Sequence, residues 1–263
     1  MSALSMAGKR GLVMGVANDR SIAWGIARAL HGAGAELAFT HQGEAFGKRV
    51  APLAESVGSD IVLDCDVTDD ASLDAVFEAL QARWDGLDFL VHAVAFSDKS
   101  ELTGRFSNTS RANFRNSLDI SCYSLIELAR RAAPMMRPGG GIVTLTFEGS
   151  RRVMPHYNVM GVAKAALEAS VRYLASDLGA EGIRVNAISP GPMKTLAGSA
   201  IGGARRTFRH AEANAPLRAN ATLEAIGGTA LYLLSDAGMA TTGEVIHVDG
   251  GYHVMGMPRP DNL

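Results

Sequence analysis

A tyrosine and a lysine near the middle of the chain could act together as a chemical pair. Tyr157 and Lys164 stand seven residues apart in the stretch 155–164. Seven residues are almost two turns of an α-helix, so both side chains leave one face if the helix already includes the tyrosine. The positive charge would then favour phenolate over phenol and make the tyrosine a better acid. Taken alone, the pair favours the plainer alternative of a helix with an exposed lysine and a half-buried tyrosine.

Composition describes a chain with a sizeable core and little net charge. Of its 263 residues, 47% are hydrophobic and 20% charged, and the formal net charge is −2. This balance is typical of a globular protein and gives no general attraction to nucleic acid. Apolar runs stay below transmembrane length and the N-terminus lacks the apolar core of a secretory signal, so we expect a cytoplasmic protein that does not enter the membrane. Cys65 and Cys122 are expected to be buried structural thiols in a reducing compartment.

Strands and helices are predicted to alternate along the chain. Short apolar runs indicate seven strands, at 11–15, 35–40, 60–66, 87–93, 142–147, 184–189 and 243–248. Helices are indicated at 21–33, 44–57, 70–84, 111–136, from the Tyr157 segment to 178, at 196–214 and at 223–235. Such alternation implies parallel pairing through right-handed crossovers. We therefore expect an α/β protein of Rossmann type: one doubly wound, parallel, seven-stranded sheet with helices on both faces, in a single domain over 1–263 with a frayed tail at 256–263.

The turn after the first strand is a candidate dinucleotide site. In doubly wound sheets, ligands bind beyond the carboxyl ends of the strands, where helix N-termini point free N–H groups at phosphate. Gly15 follows the first strand, and the small residues Ser21 and Ala23 stand where the next helix begins. Gly25 would let that helix pack closely on the sheet. The spacing differs from the common Gly-x-Gly-x-x-Gly pattern, so a structural turn is the alternative, but the position on the first strand favours dinucleotide binding.

The end of the second strand bears on which dinucleotide is bound. A 2′-phosphate usually calls for Arg or Lys there, and the chain has neither before Lys48 and Arg49, so NADH is favoured over NADPH. An acidic ligand for the ribose is missing as well, and Gln42 would have to serve by hydrogen bonding. Asp66 and Val67 follow the third strand and are placed to face the adenine. Asp66 could equally be a helix N-cap.

Four stretches together resemble a known family. They are Gly15-Val-Ala-x3-Ser-Ile-Ala-x-Gly25, Tyr157-x6-Lys164, 184–192 with Thr195, and 243–251. Over about 9–255 the chain resembles the bacterial NADH-dependent enoyl-(acyl-carrier-protein) reductases, a divergent branch of the short-chain dehydrogenases/reductases. The spacing of Tyr157 and Lys164 is the specific part, because ordinary members of that superfamily place the lysine four residues after the tyrosine.

The resemblance implies a role for each candidate residue. Tyr157 would hydrogen-bond the thioester carbonyl of an enoyl substrate, and Lys164 would hold the nicotinamide ribose. Further cofactor contacts would come from Gly15, Ser21, Ile22, Gln42, Asp66, Val67, Ala93, Ala95 and Thr195. The acyl chain would lie against Phe96, Phe147, Tyr157, Met160, Leu196 and Ile201. The family commonly has glycine in place of Ala95, and the added methyl group is expected to be tolerated.

The implied reaction is reduction of the trans-2 double bond of an enoyl thioester, the last step of the fatty-acid elongation cycle. Hydride would pass from NADH to the β-carbon while Tyr157 and the ribose 2′-hydroxyl donate to the enolate oxygen. The bacterial family usually has a second tyrosine where this chain has Phe147, a difference that the mycobacterial long-chain enoyl reductases share. Implied partners are an acyl-carrier-protein thioester and further copies of the chain in a homotetramer. The helix after Lys164 carries small residues that allow close packing, namely Ala165, Ala166, Ala169 and Ser170. No metal is expected.

A flexible lid over the acyl chain is predicted at about 195–214. Its apolar wall would be Leu196, Ala197, Ala200, Ile201 and Phe208, and its hinges Gly198, Gly202 and Gly203. Arg205, Arg206 and Arg209 form a basic cluster suited to an acidic carrier protein, although a solvated helix face is an equal alternative.

Two other functions stay open. A ketone or alcohol oxidoreductase of the same superfamily could use Thr144 or Thr146 as the hydroxyl partner, although the Tyr–Lys spacing argues against it. A cofactor-binding regulator without catalysis is suggested by Phe147, although the intact Tyr157 and Lys164 argue against that.

Overall fold

One parallel sheet forms the centre of the molecule. The computed structural model describes residues 2–196, 198 and 202–262. The strands are β1 (Arg10–Met14), β2 (Glu36–His41), β3 (Val62–Asp64), β4 (Leu87–His92), β5 (Met136–Leu145), β6 (Arg184–Pro190) and β7 (Val245–Val248). Their order is β3-β2-β1-β4-β5-β6-β7, and all neighbours pair in parallel. The strand order changes direction between β1 and β4, because β2 and β3 lie on one side of β1 and the later strands lie on the other. This switch point leaves a crevice at the carboxyl ends of β1 and β4. The predicted Rossmann-type sheet is confirmed.

Helices cover both faces of this sheet. They are α1 (Ile22–Gly32), α2 (Glu44–Ser56), α3 (Asp70–Arg83), α4 (Arg111–Leu118), α5 (Ser124–Ala132), α6 (Val159–Leu178), α7 (Ala204–Asn214) and α8 (Leu223–Leu234). One apolar core joins α3, α5 and α6 to the sheet, and a second joins α1, α2 and α8 to its other face. Among the described residues, none of the helices combines the length and the apolar character that a bilayer crossing requires.

The helix predicted over 111–136 is interrupted. α4 ends at Leu118, a π-helical turn spans Asp119–Tyr123, and β5 already begins at Met136. The glycines at 139–141 therefore lie inside a strand instead of ending a helix. The pairing of β4 with β5 shifts register there, between Leu87 and Phe89, and glycines suit such a bulge because they accept unusual backbone angles.

Two further expectations need correction. Gly25 packs against α8 and not against the sheet: a Cβ at that position would lie 2.8 Å from the Cβ of Leu223. The tail is not frayed, since the backbone N–H of Arg259 donates to Asn214 Oδ1 at 2.9 Å and the Asn262 amide donates to the carbonyl of Ala213 at 3.1 Å. The C-terminal segment is thus tied to the end of α7.

Candidate active site

The turn between β1 and α1 forms the floor of the crevice. Gly15 has φ +93°, and a Cβ there would lie 2.1 Å from the carbonyl oxygen of Ala93 at the end of β4. Only glycine allows the two strand ends to approach so closely. The Ser21 hydroxyl accepts the N–H groups of Ala17 and Asn18 at 3.0 and 3.1 Å, which closes the loop directly before Ile22 opens α1. The loop therefore closes at the N-terminus of α1, the kind of position where phosphate groups bind in doubly wound sheets.

The ends of β2 and β3 bring two of the predicted adenosine ligands together. Gln42 donates through its amide to Asp66 Oδ2 at 3.0 Å. Asp66 Oδ1 accepts both the backbone N–H and the hydroxyl of Thr68, at 2.9 and 2.7 Å, and these bonds hold the pKa of Asp66 below its usual value. The N-cap of α3 is Asp69, so the N-cap alternative for Asp66 is wrong. Val67 is partly buried against the core beside them.

The nearest basic residues after β2 are engaged on their own helix. Lys48 forms an ion pair with Glu44 at 2.7 Å, and the guanidinium of Arg49 lies 5.8 Å from the ring centre of Phe46. Both positions belong to α2, beyond the strand end at which a 2′-phosphate would sit. Their placement agrees with the preference for NADH.

Tyr157 does not belong to the helix that carries Lys164. α6 begins at Val159, and the residues on either side of the tyrosine have positive φ, 62° at His156 and 37° at Asn158. The Asn158 amide donates to the carbonyl of Glu101 at 3.0 Å and so ties this turn to a distant loop. The predicted common helix face is therefore wrong: the tyrosine lies on the turn before α6 and the lysine lies inside the helix.

The electrostatics of the pair also differ from the expectation. Tyr157 is 7% exposed and Lys164 is 5% exposed. Burial raises the pKa of Tyr157 well above its usual value, and the charge of Glu168 adds to that effect. Burial lowers the pKa of Lys164 to about 8, opposed by Cys122 and Glu168. The tyrosine is thus held as a neutral phenol, a hydrogen-bond donor, while the ammonium donates to the carbonyl of Leu145 at 2.7 Å.

Apolar side chains surround the phenol. The rings of Phe147 and Tyr157 meet edge to face, with centroids 5.1 Å apart at 64°. Met160 and Leu102 are buried in the same cluster, and Met154 packs against it. Leu102 was missed in the sequence because it lies in a polar loop whose pattern gives no sign of burial. Phe147, Tyr157 and Met160 thus lie in one apolar cluster, and their predicted contacts with the acyl chain stay predictions.

Other candidate residues lie along the same edge without joining this cluster. Ala93 is partly buried and Ala95 is exposed. Phe96 is 51% exposed, and its backbone N–H and carbonyl are both bound to one serine hydroxyl. Thr195 accepts a backbone N–H through its hydroxyl, and Leu196 is 48% exposed. The contacts of these residues with a ligand stay predictions.

The predicted lid is described only in part. Ile201, Ala197 and Ala200 lie outside the described residues. Within α7, Phe208 is partly buried, and the ammonium of Lys194 lies 4.3 Å from the centre of its ring. The lid function itself stays a prediction.

Sequence reasoning missed His92, a fully buried imidazole at the end of β4. Its Nδ1 lies 2.7 Å from Thr144 Oγ1, and its Nε2 lies 2.8 Å from Ser124 Oγ. The Ser124 hydroxyl donates to the carbonyl of Ile120, so the imidazole must donate from Nε2 and accept at Nδ1. Burial, with the charge of Lys164, lowers the pKa of His92 to about 3. The apolar run of β4 gave no sign of this polar contact.

The two threonines of the alternative ketone reductase are already engaged. Thr144 bonds His92, and Thr146 donates to Glu168 Oε1 at 2.7 Å. Neither hydroxyl is therefore available as a partner for Tyr157 in this arrangement.

The sheet order, the glycine turn beside β4 and the buried Tyr157–Lys164 pair at the carboxyl edge define an oxidoreductase of the short-chain dehydrogenase/reductase class. The family model described as enoyl-(acyl carrier protein) reductase matches residues 15–253, and the chain belongs to this family.

Known proteins similar to this chain agree with that family. Enoyl-(acyl-carrier-protein) reductase (NADH) 1 of Rhizobium meliloti is 61% identical over 256 residues, which cover 97% of this chain and 94% of the relative. The crystal structure of FabI from Candidatus Liberibacter asiaticus superposes with a TM-score of 0.95 at 53% identity, over 97% of this chain and 98% of that one. The Anaplasma phagocytophilum enoyl-(acyl-carrier-protein) reductase, solved in complex with NAD, gives a TM-score of 0.93 at 54% identity, over 98% and 96%.

His92 makes stability depend on pH in a defined direction. Its pKa is lower in the folded state than the ordinary value, so the unfolded chain binds more protons between the two values and stability is lost as pH falls from about 6.5 toward 3. In urea unfolding at about pH 7 and about pH 5, His92→Asn should lose less free energy of unfolding on acidification than the native protein. His31→Asn, at an exposed histidine of α1, is the control and should follow the native protein. Equal losses in the native protein and His92→Asn would contradict the assignment.

Proposed function

We propose that this enzyme reduces the trans-2 double bond of enoyl-acyl-carrier-protein thioesters with NADH, the last step of the fatty-acid elongation cycle. The observation that carries the proposal is the Tyr157 phenol, kept protonated by burial inside an apolar cluster and followed by the buried Lys164 on the next helix. The family membership of the chain supports the same reaction. We place the reaction in the cytoplasm, in keeping with two unpaired, buried cysteines.

The crevice fits a nicotinamide dinucleotide. Gly15 lets the ends of β1 and β4 approach closely at the start of α1, where the pyrophosphate would bind. The remaining cofactor contacts are assigned to Ser21, Ile22, Gln42, Asp66, Val67, Ala93, Ala95, Lys164 and Thr195. Bound NADH would supply the hydride.

The residues of the chain then have distinct tasks. The hydroxyl of Tyr157 donates to the thioester oxygen, where negative charge develops as the β-carbon is reduced. Lys164 holds the ribose hydroxyls and adds positive charge beside them. Phe147 and Met160 line the apolar side of the reacting carbons and exclude water from the enolate, with Phe96, Leu196 and Ile201 assigned to the acyl chain further out. A proton at the α-carbon completes the reduction.

The phenol and the substrate class can be tested in one assay. NADH absorbance should fall with a crotonyl or longer 2-enoyl thioester and stay constant with a 3-ketoacyl thioester. Tyr157→Phe should lower kcat roughly 100- to 1,000-fold, because it removes a donor to the developing oxyanion. Tyr232→Phe, whose hydroxyl bonds Thr241 away from the crevice, is the matched control. Oxidation with the ketone alone would favour the ketone reductase, oxidation with neither would favour the regulator, and a near-normal Tyr157→Phe rate would remove the phenol from the mechanism.

We infer that the carrier protein docks against α7. Arg205, Arg206 and Arg209 are exposed there, and the described part of the chain places no carboxylate within ion-pair distance of them. Three cations within the predicted lid, without an acidic partner in the described part of the chain, suit an acidic carrier whose thioester must enter the crevice.

Charge reversal on α7 separates docking from chemistry. Arg205→Glu combined with Arg209→Glu should raise KM for an acyl-carrier-protein thioester several-fold and make it less sensitive to salt, because long-range attraction is lost. KM for a short N-acetylcysteamine thioester should stay constant. The matched control is Arg28→Glu, at an exposed position of α1. An equal rise for both substrates would show that the arginines act on the site itself and not on the carrier.

We also propose a homotetramer, which the family resemblance implies. The exposed side of α6 carries an apolar stripe of Val162, Ala165, Ala169 and Tyr173, and the tyrosine is 75% exposed. Its small residues allow a second helix to approach closely. Light scattering should give the mass of four chains, and Tyr173→Glu should give a smaller species. A native monomer would refute this assembly.

A further inference from the structure

Glu168 is a buried acid that the proposed reaction does not use. It lies on α6, one turn after Lys164, and is 8% exposed. Its Oε1 accepts the hydroxyl of Thr146 at 2.7 Å and that of Ser150 at 2.5 Å. A buried carboxylate that takes two hydroxyl donors is held tightly, because charge-assisted hydrogen bonds are short and strong. Glu168 therefore ties both ends of the segment 146–150, which follows β5, to helix α6.

The segment from Thr146 to Ser150 directly contacts the ring of Tyr157. The ring of Phe147 meets the ring of Tyr157 at a centroid distance of 5.1 Å. A Cβ at Gly149 would lie 2.4 Å from Cδ1 of Tyr157, and a Cβ at Gly161 would lie 2.6 Å from the carbonyl oxygen of Gly149. Glycine at both positions lets backbone, phenol and the first turn of α6 touch. A shift of the segment 146–150 toward Tyr157 would therefore move the phenol.

Glu168 also faces the ammonium of Lys164. The groups around that ammonium are the carbonyl of Leu145 on β5, the neutral His92 on β4, the thiol of Cys122 on the π-helical turn, and Glu168 on its own helix. Burial lowers the pKa of Lys164 to about 8, whereas Cys122 and the charge of Glu168 raise it. Of these neighbours, Glu168 is the carboxylate, and it acts on the buried cation through its charge from one turn further along α6.

We propose that Glu168 is a positioning residue of the reductase. Through Thr146 and Ser150 it holds the segment 146–150 against Tyr157, and through its charge it keeps Lys164 as an ammonium ion able to hold the ribose. This inference rests on the function proposed above, since it assigns the supports of that same site.

Two variants separate the charge of Glu168 from its hydrogen bonds with Thr146 and Ser150. Glu168→Gln keeps an oxygen that accepts the two hydroxyls but removes the charge. The fall of kcat/KM at alkaline pH should then occur about one pH unit lower. The affinity for NADH, measured by fluorescence without substrate, should fall at the same lower pH. The double variant Thr146→Val with Ser150→Ala keeps the charge but removes both donors. It should lower kcat about tenfold or more, with the alkaline fall at the native pH.

Control variants and outcomes make the test decisive. Asp177→Asn neutralises an exposed acid on the same helix and should leave both profiles unchanged. If Glu168→Gln does not fold, the single variant Ser150→Ala still tests the hydrogen bonds of Glu168 through kcat. A native enzyme without enoyl reduction refutes the proposed function. A native enzyme that reduces enoyl thioesters, together with an unmoved profile in Glu168→Gln and a native kcat in the double variant, overturns the role of Glu168 alone.

Discussion

The active site depends on the burial of one cation. The ammonium of Lys164 is almost fully removed from water and bonds the carbonyl of Leu145, at the last residue of β5. A buried charge without partners costs far more than a single hydrogen bond returns, so the surrounding groups must be held in place. The carbonyl of β5 and the carboxylate of Glu168 supply that environment. Helix α6 and the end of β5 are consequently fixed to each other at the point where substrate and cofactor should meet.

Burial of Tyr157 likewise keeps the phenol in the form that donates a hydrogen bond. Inside its apolar cluster Tyr157 stays protonated at neutral pH, since burial and the charge of Glu168 both raise its pKa. A neutral phenol is the useful form for stabilising an oxyanion, because it offers a proton to the developing charge without repelling it. In the proposed reaction the lysine binds and orients the cofactor, and the tyrosine needs no lowered pKa.

Sequence patterns predicted the elements of the fold well because the central strands of the sheet are buried on both faces. The segments 87–93 and 184–189 are buried almost throughout, and they form β4 and β6. The interrupted region at 111–136 could not be predicted in the same way, because an apolar helical repeat does not distinguish an α-helix from one with a π-helical turn. β5 begins at an earlier residue than predicted, because its glycines pair with β4. The local sequence gives no sign of that pairing.

The site was predictable in its residue types and not in its geometry. The Tyr157–Lys164 spacing identified the two side chains, yet the positive φ of Asn158 depends on a bond to the carbonyl of Glu101, 57 residues away. Single-sequence periodicity contains no such information. The contacts of His92 were hidden for the same reason, since its partners come from another strand and another helix.

The edge-on contact of Phe147 with Tyr157 has a consequence for small molecules that would compete with the acyl chain. At that position the pocket offers an aromatic edge and no hydroxyl, so affinity must come from shape and apolar area. A compound that turns a polar group toward this ring buries it without a partner, at a cost of roughly 1–3 kcal/mol. Selective ligands for this enzyme should therefore be apolar on the side of Phe147 and carry their single acceptor toward the phenol.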